Sequence, residues 1–181
     1  MAIADLAAYR TVSFAPHQKI QYSKNSLNTI AGRLSDLWTT VPLAGTAPTT
    51  AVVPTRATAG ALGQFNPAAD MQLIRATIAA GFIGTWWLVD RLSHQGGLSG
   101  IVTTAQTTNL PTAALTRYTT GVGVLMGLTI YGVVGTTATT VTVSYTNEAG
   151  TTGRTSQATV FGGTGFREVG RTILLPLQEG D

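Results

Sequence analysis

The chain has no cysteine and very little charge. Its 181 residues include 11 Lys and Arg and 8 Asp and Glu, a charged fraction of 10%, where soluble domains average about 25%. The absence of cysteine excludes disulfide bonds and thiolate metal sites and leaves the redox compartment open. Low charge does not here predict disorder, because disordered chains are poor in apolar residues and 44% of this chain is apolar.

A long hydrophobic run and a targeting segment are also missing. The most apolar stretch, residues 76–89, has 14 residues, whereas a membrane-spanning helix needs about 20. The N-terminus carries Asp5 and lacks the basic start and apolar run of a signal peptide. We therefore expect no membrane contact, and we expect the chain to be made and assembled in a cytoplasm.

Clustered positive charge is the third absence. The net charge is +3, and the arginines are scattered singly except for Arg167 and Arg171, which have Glu168 between them. Nucleic-acid binding usually requires a clustered basic surface. We therefore do not expect contact with nucleic acid.

Threonine and glycine are abundant instead, with 32 and 21 residues. Threonine and valine favour strands, and glycine favours turns and bulges. In residues 141–155, Val141, Val143 and Tyr145 alternate with polar residues, and the following 147–150 segment supplies turn residues. The chain is therefore predicted to be mainly β, with an antiparallel β-sandwich or jelly-roll-like domain over residues 71–181.

Several stretches of that domain read as strands, and one as a central strand. FIGTWWLVDRL, residues 82–92, reads as a strand that is apolar on both faces, which indicates burial on both sides. One face carries Ile83, Trp87 and Val89, and the other carries Phe82, Trp86 and Leu88. The other predicted strands lie in QLIRATIAA, GVGVLMGLTIYGVV, ATTVTVSYT, TGRTSQATVF and GRTILLPLQ. The chain stops soon after a turn signal, so we expect the natural chain to continue with another hairpin.

Residues 1–70 are predicted to form an N-terminal arm with a short helix and a Pro-rich extended segment. The helix rests on apolar residues at helical spacing, with Asn25 or Ser26 as its cap; these residues are Leu27, Ile30, Leu34 and Leu37. Residues 39–70 contain four prolines and form either a flexible connector or an arm along a neighbouring subunit. The predicted subunit or lattice contacts of the arm are Val52, Val53, Leu62 and Phe65.

The stretch nearest to an active site is WWLVDRLSHQGG. It places Asp90, Ser93 and His94 together, but a Ser/His/Asp triad needs convergent, hydrogen-bonded side chains, which adjacency does not provide. We favour a strand end at which Asp90 or Arg91 forms a salt bridge or caps a loop; a hydrolase around Asp90 and His94 is the alternative. With two histidines and dispersed carboxylates, we predict no catalytic, cofactor or metal site.

The lack of charge along the predicted strands bears on how the protein functions. Residues 92–116 and 118–147 contain no Asp, Glu, Lys or Arg, and only Arg117 divides them. Sheets of isolated monomers usually carry charges that prevent strand-to-strand association. Either threonine hydroxyls alone keep these sheets soluble, or the sheets are covered by identical copies or by a scaffold lattice. We favour burial in an assembly.

Residues 86–181 resemble structural proteins of tailed bacteriophages. The resemblance lies in the recurring phrases LVDRLSHQGGLSG, TTAQTTNLPTAALTRY, SYTNEAGTTGRT and ILLPLQEGD. It implies a non-enzymatic virion component on the head surface, a decoration (cement) protein that binds the major capsid protein lattice. Such proteins are often β-rich and oligomeric, commonly trimeric. The alternative is a receptor- or carbohydrate-binding module of a tail, with the tryptophans as a sugar platform.

Overall fold

The computed structural model describes Ala7 and residues 22–28, 30–62, 77–81, 83–108, 115–164 and 166–181. Over these residues the chain forms short strands and one 3-10 turn, Leu37–Thr39. The strands are β1 Leu34–Ser35, β2 Met126–Thr129, β3 Thr139–Val141, β4 Ser144–Tyr145, β5 Arg154–Thr155, β6 Thr159–Phe161 and β7 Arg171–Leu175. All of the strand pairs are antiparallel, so the prediction of a mainly β chain is confirmed.

The largest sheet joins both ends of the described chain. Its strand order is β1–β7–β2, so the C-terminal strand lies in the centre. Along β7 the side chains of Arg171, Ile173 and Leu175 are buried, as the two-residue period of a strand with one packed face requires. Ile173 and Leu175 form a small core with Ile130.

The predicted helix over Leu27–Leu37 is wrong. Leu34 lies in β1, opposite Thr172 of β7, and Leu37 begins the 3-10 turn. Gly32 lies before β1 with φ +72°, a left-handed conformation that ends any helix at this point. The helical spacing of the leucines thus falls on two separate short elements, in which Leu34 and Leu37 are half-buried.

A two-stranded ribbon, interrupted by a bulge, follows β2. β4 pairs with β5 and β3 with β6, and the second strand of the ribbon has one extra residue between these pairs. In the bulge, the Gln157 N–H donates to the Pro176 carbonyl at 2.9 Å, which ties the ribbon to the end of β7. The predicted turn is confirmed: the Gly150 N–H donates to the Asn147 carbonyl at 3.0 Å, and Gly150 has φ +80°.

The prediction of a central strand over residues 82–92 is also wrong. Residues 83–92 lie outside the strands, residues 83–89 are exposed, and Phe82 lies outside the described residues. A ladder begins nearby, where Val52 and His94 exchange two backbone hydrogen bonds of 2.9 and 2.8 Å. The next hydrogen-bonded pair would need an N–H from Pro54, and proline has none. Pairing therefore ends before it reaches the 83–89 segment.

Residues 39–62, within the predicted arm, form loops around Trp38. The Gly45 N–H donates to the Trp38 carbonyl at 2.7 Å, and the indole Nε1–H donates to the Thr46 carbonyl at 3.3 Å. Gly60 has φ +95° and lies against the indole face. The loops thus enclose a tryptophan that is only 7% exposed.

Candidate functional site

A cluster of polar and aromatic side chains surrounds Trp38. Asp36 caps the 3-10 turn by accepting the Trp38 N–H at 2.8 Å, and it also accepts a hydrogen bond from the Arg91 guanidinium. The guanidinium carbon of Arg91 lies 4.4 Å from the centre of the Trp38 ring, in cation–π geometry. Arg91 thus joins residues 91–94 to the 3-10 turn through both charge and stacking.

His94 lies at the centre of this cluster. Its ring meets Trp38 edge to face, with centroids 5.3 Å apart, and its Nε2 lies 2.9 Å from the Tyr131 hydroxyl. Burial, reinforced by Arg91 and partly opposed by Asp36, lowers the pKa of His94 to about 4. Burial is also the main cause that raises the pKa of Tyr131 to about 12. Both side chains are therefore neutral at pH 7.

Asp90 is tied to a different partner. Its carboxylate accepts two hydrogen bonds from Arg117, at 2.9 and 2.6 Å. Arg117 also donates to the carbonyls of Pro54 at 2.6 Å and of Arg91 at 2.9 Å, so one guanidinium joins three segments. The predicted salt bridges of Asp90 and Arg91 are present, but both residues lie outside the strands.

The geometry of a hydrolytic triad is not assembled from Asp90, Ser93 and His94. Asp90 binds Arg117, and the Nε2 of His94 faces Tyr131 and Arg91. The Ser93 hydroxyl is buried and has no hydrogen-bond partner within the described chain. A triad requires the serine, imidazole and carboxylate to be hydrogen-bonded in series.

The predicted contact residues of the arm lie at the surface where the structure describes them. Val52, Val53 and Leu62 are 37%, 38% and 51% exposed, and Phe65 lies outside the described residues. Val52 and Val53 also line a cavity of about 280 Å³ beside Trp38. Its other lining residues are Thr46, Pro48, Thr58, Ala59 and His94.

Sequence reasoning missed that Trp38 and His94 build this cavity. The sequence signal that could have indicated it is weak: two glycines, Gly45 and Gly60, in the Pro-rich segment leave room for a large ring. Nothing in the linear order shows that both glycines meet Trp38.

The second surface feature is the apolar 83–89 segment. Ile83 is fully exposed, and Trp87, Leu88 and Val89 are 54%, 60% and 66% exposed. Scattered single apolar residues are normal on a protein surface, but a contiguous run usually marks an interaction site. The segment leads directly into Asp90 and Arg91, whose charges are both engaged within the chain.

Two further features of the described residues concern metal binding and membranes. Within the described part of the chain, no group of three His, Asp or Glu side chains could hold a metal ion. Over that same part, no helix has the length and apolar character to cross a bilayer. Comparison with protein-family models, curated proteins and solved structures gives no match.

Proposed function

We propose that this chain is a non-enzymatic structural protein of a tailed-phage virion. In this role it is a decoration (cement) protein that binds the major capsid protein lattice on the head surface and stabilises the head. The observation that carries the proposal is the 83–89 segment, whose large apolar side chains lie in solvent. A neighbouring protein subunit would remove these side chains from water.

The balance of buried and exposed apolar side chains supports an assembled state. Among the described residues, four hydrophobic side chains are buried and 22 large ones are exposed. A chain with so much apolar surface gains free energy when another subunit covers it.

The charges support the same role. Arg91, Arg117 and Arg154 are each engaged by a carboxylate of the same chain, through Asp36, Asp90 and Asp181 respectively. Monomeric sheet proteins use free charges at strand edges to prevent association. Here those charges join loops within the chain, so they give the apolar surface little protection against contact with another subunit.

The proposal includes the arrangement of the two sheets. We place the β1–β7–β2 sheet and the ribbon as the two faces of an antiparallel sandwich or jelly-roll-like domain. The bond from Gln157 to Pro176 joins these faces at one end. Gly100 lies close to Phe161 of the ribbon and to Val134, because a Cβ at this position would lie 2.7 Å from Val134 and 3.2 Å from Phe161.

Copy number in purified virions tests the head location. A cement protein is expected in many symmetric copies, so quantitative mass spectrometry should give a stoichiometry comparable with that of the major capsid protein. A handful of copies per particle would contradict the cement role and indicate a tail or portal location.

A point substitution tests lattice attachment better than deletion of the arm. Deletion of residues 39–62 would uncover Trp38, so the chain would not fold. Leu62→Asp places a charge on an exposed apolar contact and should abolish decoration of capsids without changing the circular dichroism spectrum. Thr49→Asp, at an exposed position of the same segment, is the matched control. Equal decoration by both variants would contradict an attachment role for Leu62.

One observation favours a second function, glycan binding. Trp87 is 54% exposed, and an exposed indole face is a common platform for sugars. In that case, glycan binding would be lost in Trp87→Ala and kept in Leu88→Ala. Absence of binding on a glycan array would remove this alternative.

A further inference from the structure

Three polar side chains of the β4–β5 hairpin surround a carboxylate. The side chain of Asp181 is only 2% exposed. Arg154 Nε donates to it at 2.9 Å, Asn147 Nδ2 donates at 2.6 Å, and the Tyr145 hydroxyl donates as well. Tyr145 and Arg154 lie directly opposite each other in the strand pair, so their side chains share one face of the hairpin. The carboxylate thus lies in a pocket of directed polar groups.

The other hydrogen bonds of these side chains fix each of them as a donor. Asn147 Oδ1 accepts the Thr151 N–H at 2.8 Å, so Nδ2 is the atom that faces Asp181. The Tyr145 oxygen accepts the Gln178 N–H at 2.9 Å, which leaves its own proton for Asp181. A guanidinium can only donate. All three groups therefore direct protons at one point, which fits the two oxygens of a carboxylate and opposes the NH₂ group of an amide.

The ionisation of Asp181 follows from these contacts. The hydrogen bond from Arg154, followed by those from Asn147 and Tyr145, lowers the pKa of Asp181 to about 2. Glu179 of the same segment provides a contrast. Its backbone carbonyl accepts from Arg154 Nη2 at 3.3 Å, but its carboxylate has no hydrogen bond or ion pair among the described residues. The site thus engages one of the two carboxylates that the segment offers.

Residues 176–181 connect β7 to this site. The Gln157 N–H, in the bulge of the ribbon, donates to the Pro176 carbonyl at 2.9 Å where the segment begins. At its other end, the Asp181 N–H donates to the Gln178 carbonyl at 3.1 Å in a tight turn. The segment therefore passes from the three-stranded sheet onto the ribbon and is held there by polar contacts at both ends.

The hairpin itself supplies the three donor side chains. Tyr145 and Arg154 come from the paired strands, and Asn147 comes from the turn that its own bonds to Thr151 close. The donors are thus placed by contacts within the hairpin. We propose that the β4–β5 hairpin carries a carboxylate-binding site and that residues 176–181 are a strap, which closes by placing the Asp181 carboxylate in this site. When the strap is open, the site binds a carboxylate from solution.

This inference goes beyond the proposed assembly role and is independent of it. Because β7 continues directly into the strap, closure holds the hairpin to the end of the three-stranded sheet. A carboxylate from solution and the closed strap need the same three donors, so they exclude each other. Occupation of the site by an external carboxylate therefore releases the strap.

An acetate titration tests the site. The full chain carrying Asp181→Ala is isotopically labelled, and the Asn147 NH₂ and Arg154 Nε–H signals are followed by NMR at constant ionic strength. We expect saturable shifts with acetate and none with acetamide, its neutral analogue. The unsubstituted chain should require about tenfold more acetate or higher, because its own Asp181 competes. Equal responses to acetate and acetamide, or no saturable response to acetate, would overturn the proposal.

A second substitution in the Asp181→Ala chain tests the donors. Asn147→Asp keeps an acceptor for the Thr151 N–H and replaces the Nδ2 donor with a charged oxygen, so acetate should no longer shift the Arg154 signal. Thr152→Asp adds the same charge at an exposed position of the hairpin and is the matched control. It should keep acetate binding within about threefold, since an exposed charge is screened. Equal acetate binding by the two variants would contradict the assigned site.

Hydrogen exchange tests the strap. The Gln178 amide should exchange about tenfold faster or more in Asp181→Ala and in Asp181→Asn, because neither side chain is a carboxylate. Glu179→Ala keeps the backbone carbonyl that binds Arg154, so its Gln178 amide should exchange within about twofold of the unsubstituted rate. Equal rates in Asp181→Asn and Glu179→Ala would overturn the strap. Protection that is lost on dilution of the unsubstituted chain would also overturn it, because the segment would then be bound by a second copy.

Discussion

The fit of Trp38 between two glycines yields a quantitative prediction about stability. A Cβ added at Gly60 would lie 2.5 and 2.7 Å from Trp38 Cδ2 and Cε2, and Gly60 has φ +95°. Gly60→Ala therefore combines backbone strain with overpacking. Left-handed backbone costs an alanine about 1 kcal/mol, and overpacking costs about 1–3 kcal/mol. We expect a total loss of about 2–4 kcal/mol in the free energy of unfolding.

Two other glycines separate these contributions. Gly97 has φ +85° and no atom within 4 Å of its Cβ position, so Gly97→Ala measures strain alone. Gly45→Ala measures overpacking, since its Cβ would lie 2.5 Å from Trp38 Cε2 and it has no positive φ. Gly97→Ala should cost about 1 kcal/mol or less, because alanine also restricts the unfolded chain.

Urea unfolding at one fixed protein concentration, followed by tryptophan fluorescence, measures all three variants. The test is completed by Gly60→Ala in a Trp38→Phe background, where the smaller ring should recover about 1 kcal/mol of the loss. Equal losses in Gly60→Ala and Gly97→Ala would refute the reasoning, because the contact with Trp38 would then contribute nothing.

The polar contacts of the same region give further predictions. Arg117→Lys should lower the free energy of unfolding by about 1 kcal/mol in urea titrations, because lysine cannot bind Asp90, Pro54 and Arg91 at once and the partly exposed pair is screened. Arg167→Lys, where a lysine can also make the 3.8 Å contact with Glu168, is the control, and equal losses in both variants would contradict the prediction. The lowered pKa of His94 predicts that the folded chain is sensitive to acid. Below pH 6.5 the imidazole is protonated in the unfolded chain, but in the folded chain it stays neutral down to about pH 4. The free energy of unfolding therefore falls as the pH is lowered from 6.5 to about 4. The fall is up to roughly 3 kcal/mol. It should be absent in His94→Gln, and parallel pH profiles of the two proteins would show that His94 is not the group responsible.

Local patterns predicted the ribbon well. Val141, Val143 and Tyr145 alternate with polar residues, and these positions fall in or between β3 and β4. The predicted turn between Asn147 and Gly150 is confirmed by a backbone hydrogen bond that joins two residues only three positions apart in the sequence. Such features depend on neighbours along the chain, so the sequence contains their physical cause.

The two failed predictions depend on distant contacts. Leu34 pairs with Thr172, which lies at the other end of the chain, and this pairing overrides the helical spacing. The 83–89 segment was predicted to be buried because its side chains are apolar, but Pro54 ends the adjacent ladder before it reaches them. The apolar character of a segment predicts that its side chains will be buried, but it does not tell whether they are buried by the same chain or by another subunit.

The candidate site was predicted only in part for the same reason. Val52 and Val53 were chosen as apolar anchors, and they line the cavity. The convergence of Trp38, His94 and Tyr131 on that region joins residues up to 93 positions apart. No periodicity in the sequence encodes such a meeting.

The separate uses of charge and apolar surface show how folding and assembly can coexist in one chain. Arg91 and Arg117 hold the loops around Trp38 with directional bonds, which do not require a large hydrophobic core. Because these bonds fix the frame, apolar residues such as Trp87 and Leu88 can remain outside it. Substitutions in the two groups should therefore have separable effects. Loss of a guanidinium contact lowers the free energy of unfolding of the chain. Loss of an exposed apolar side chain leaves the chain folded but abolishes its binding to a partner subunit.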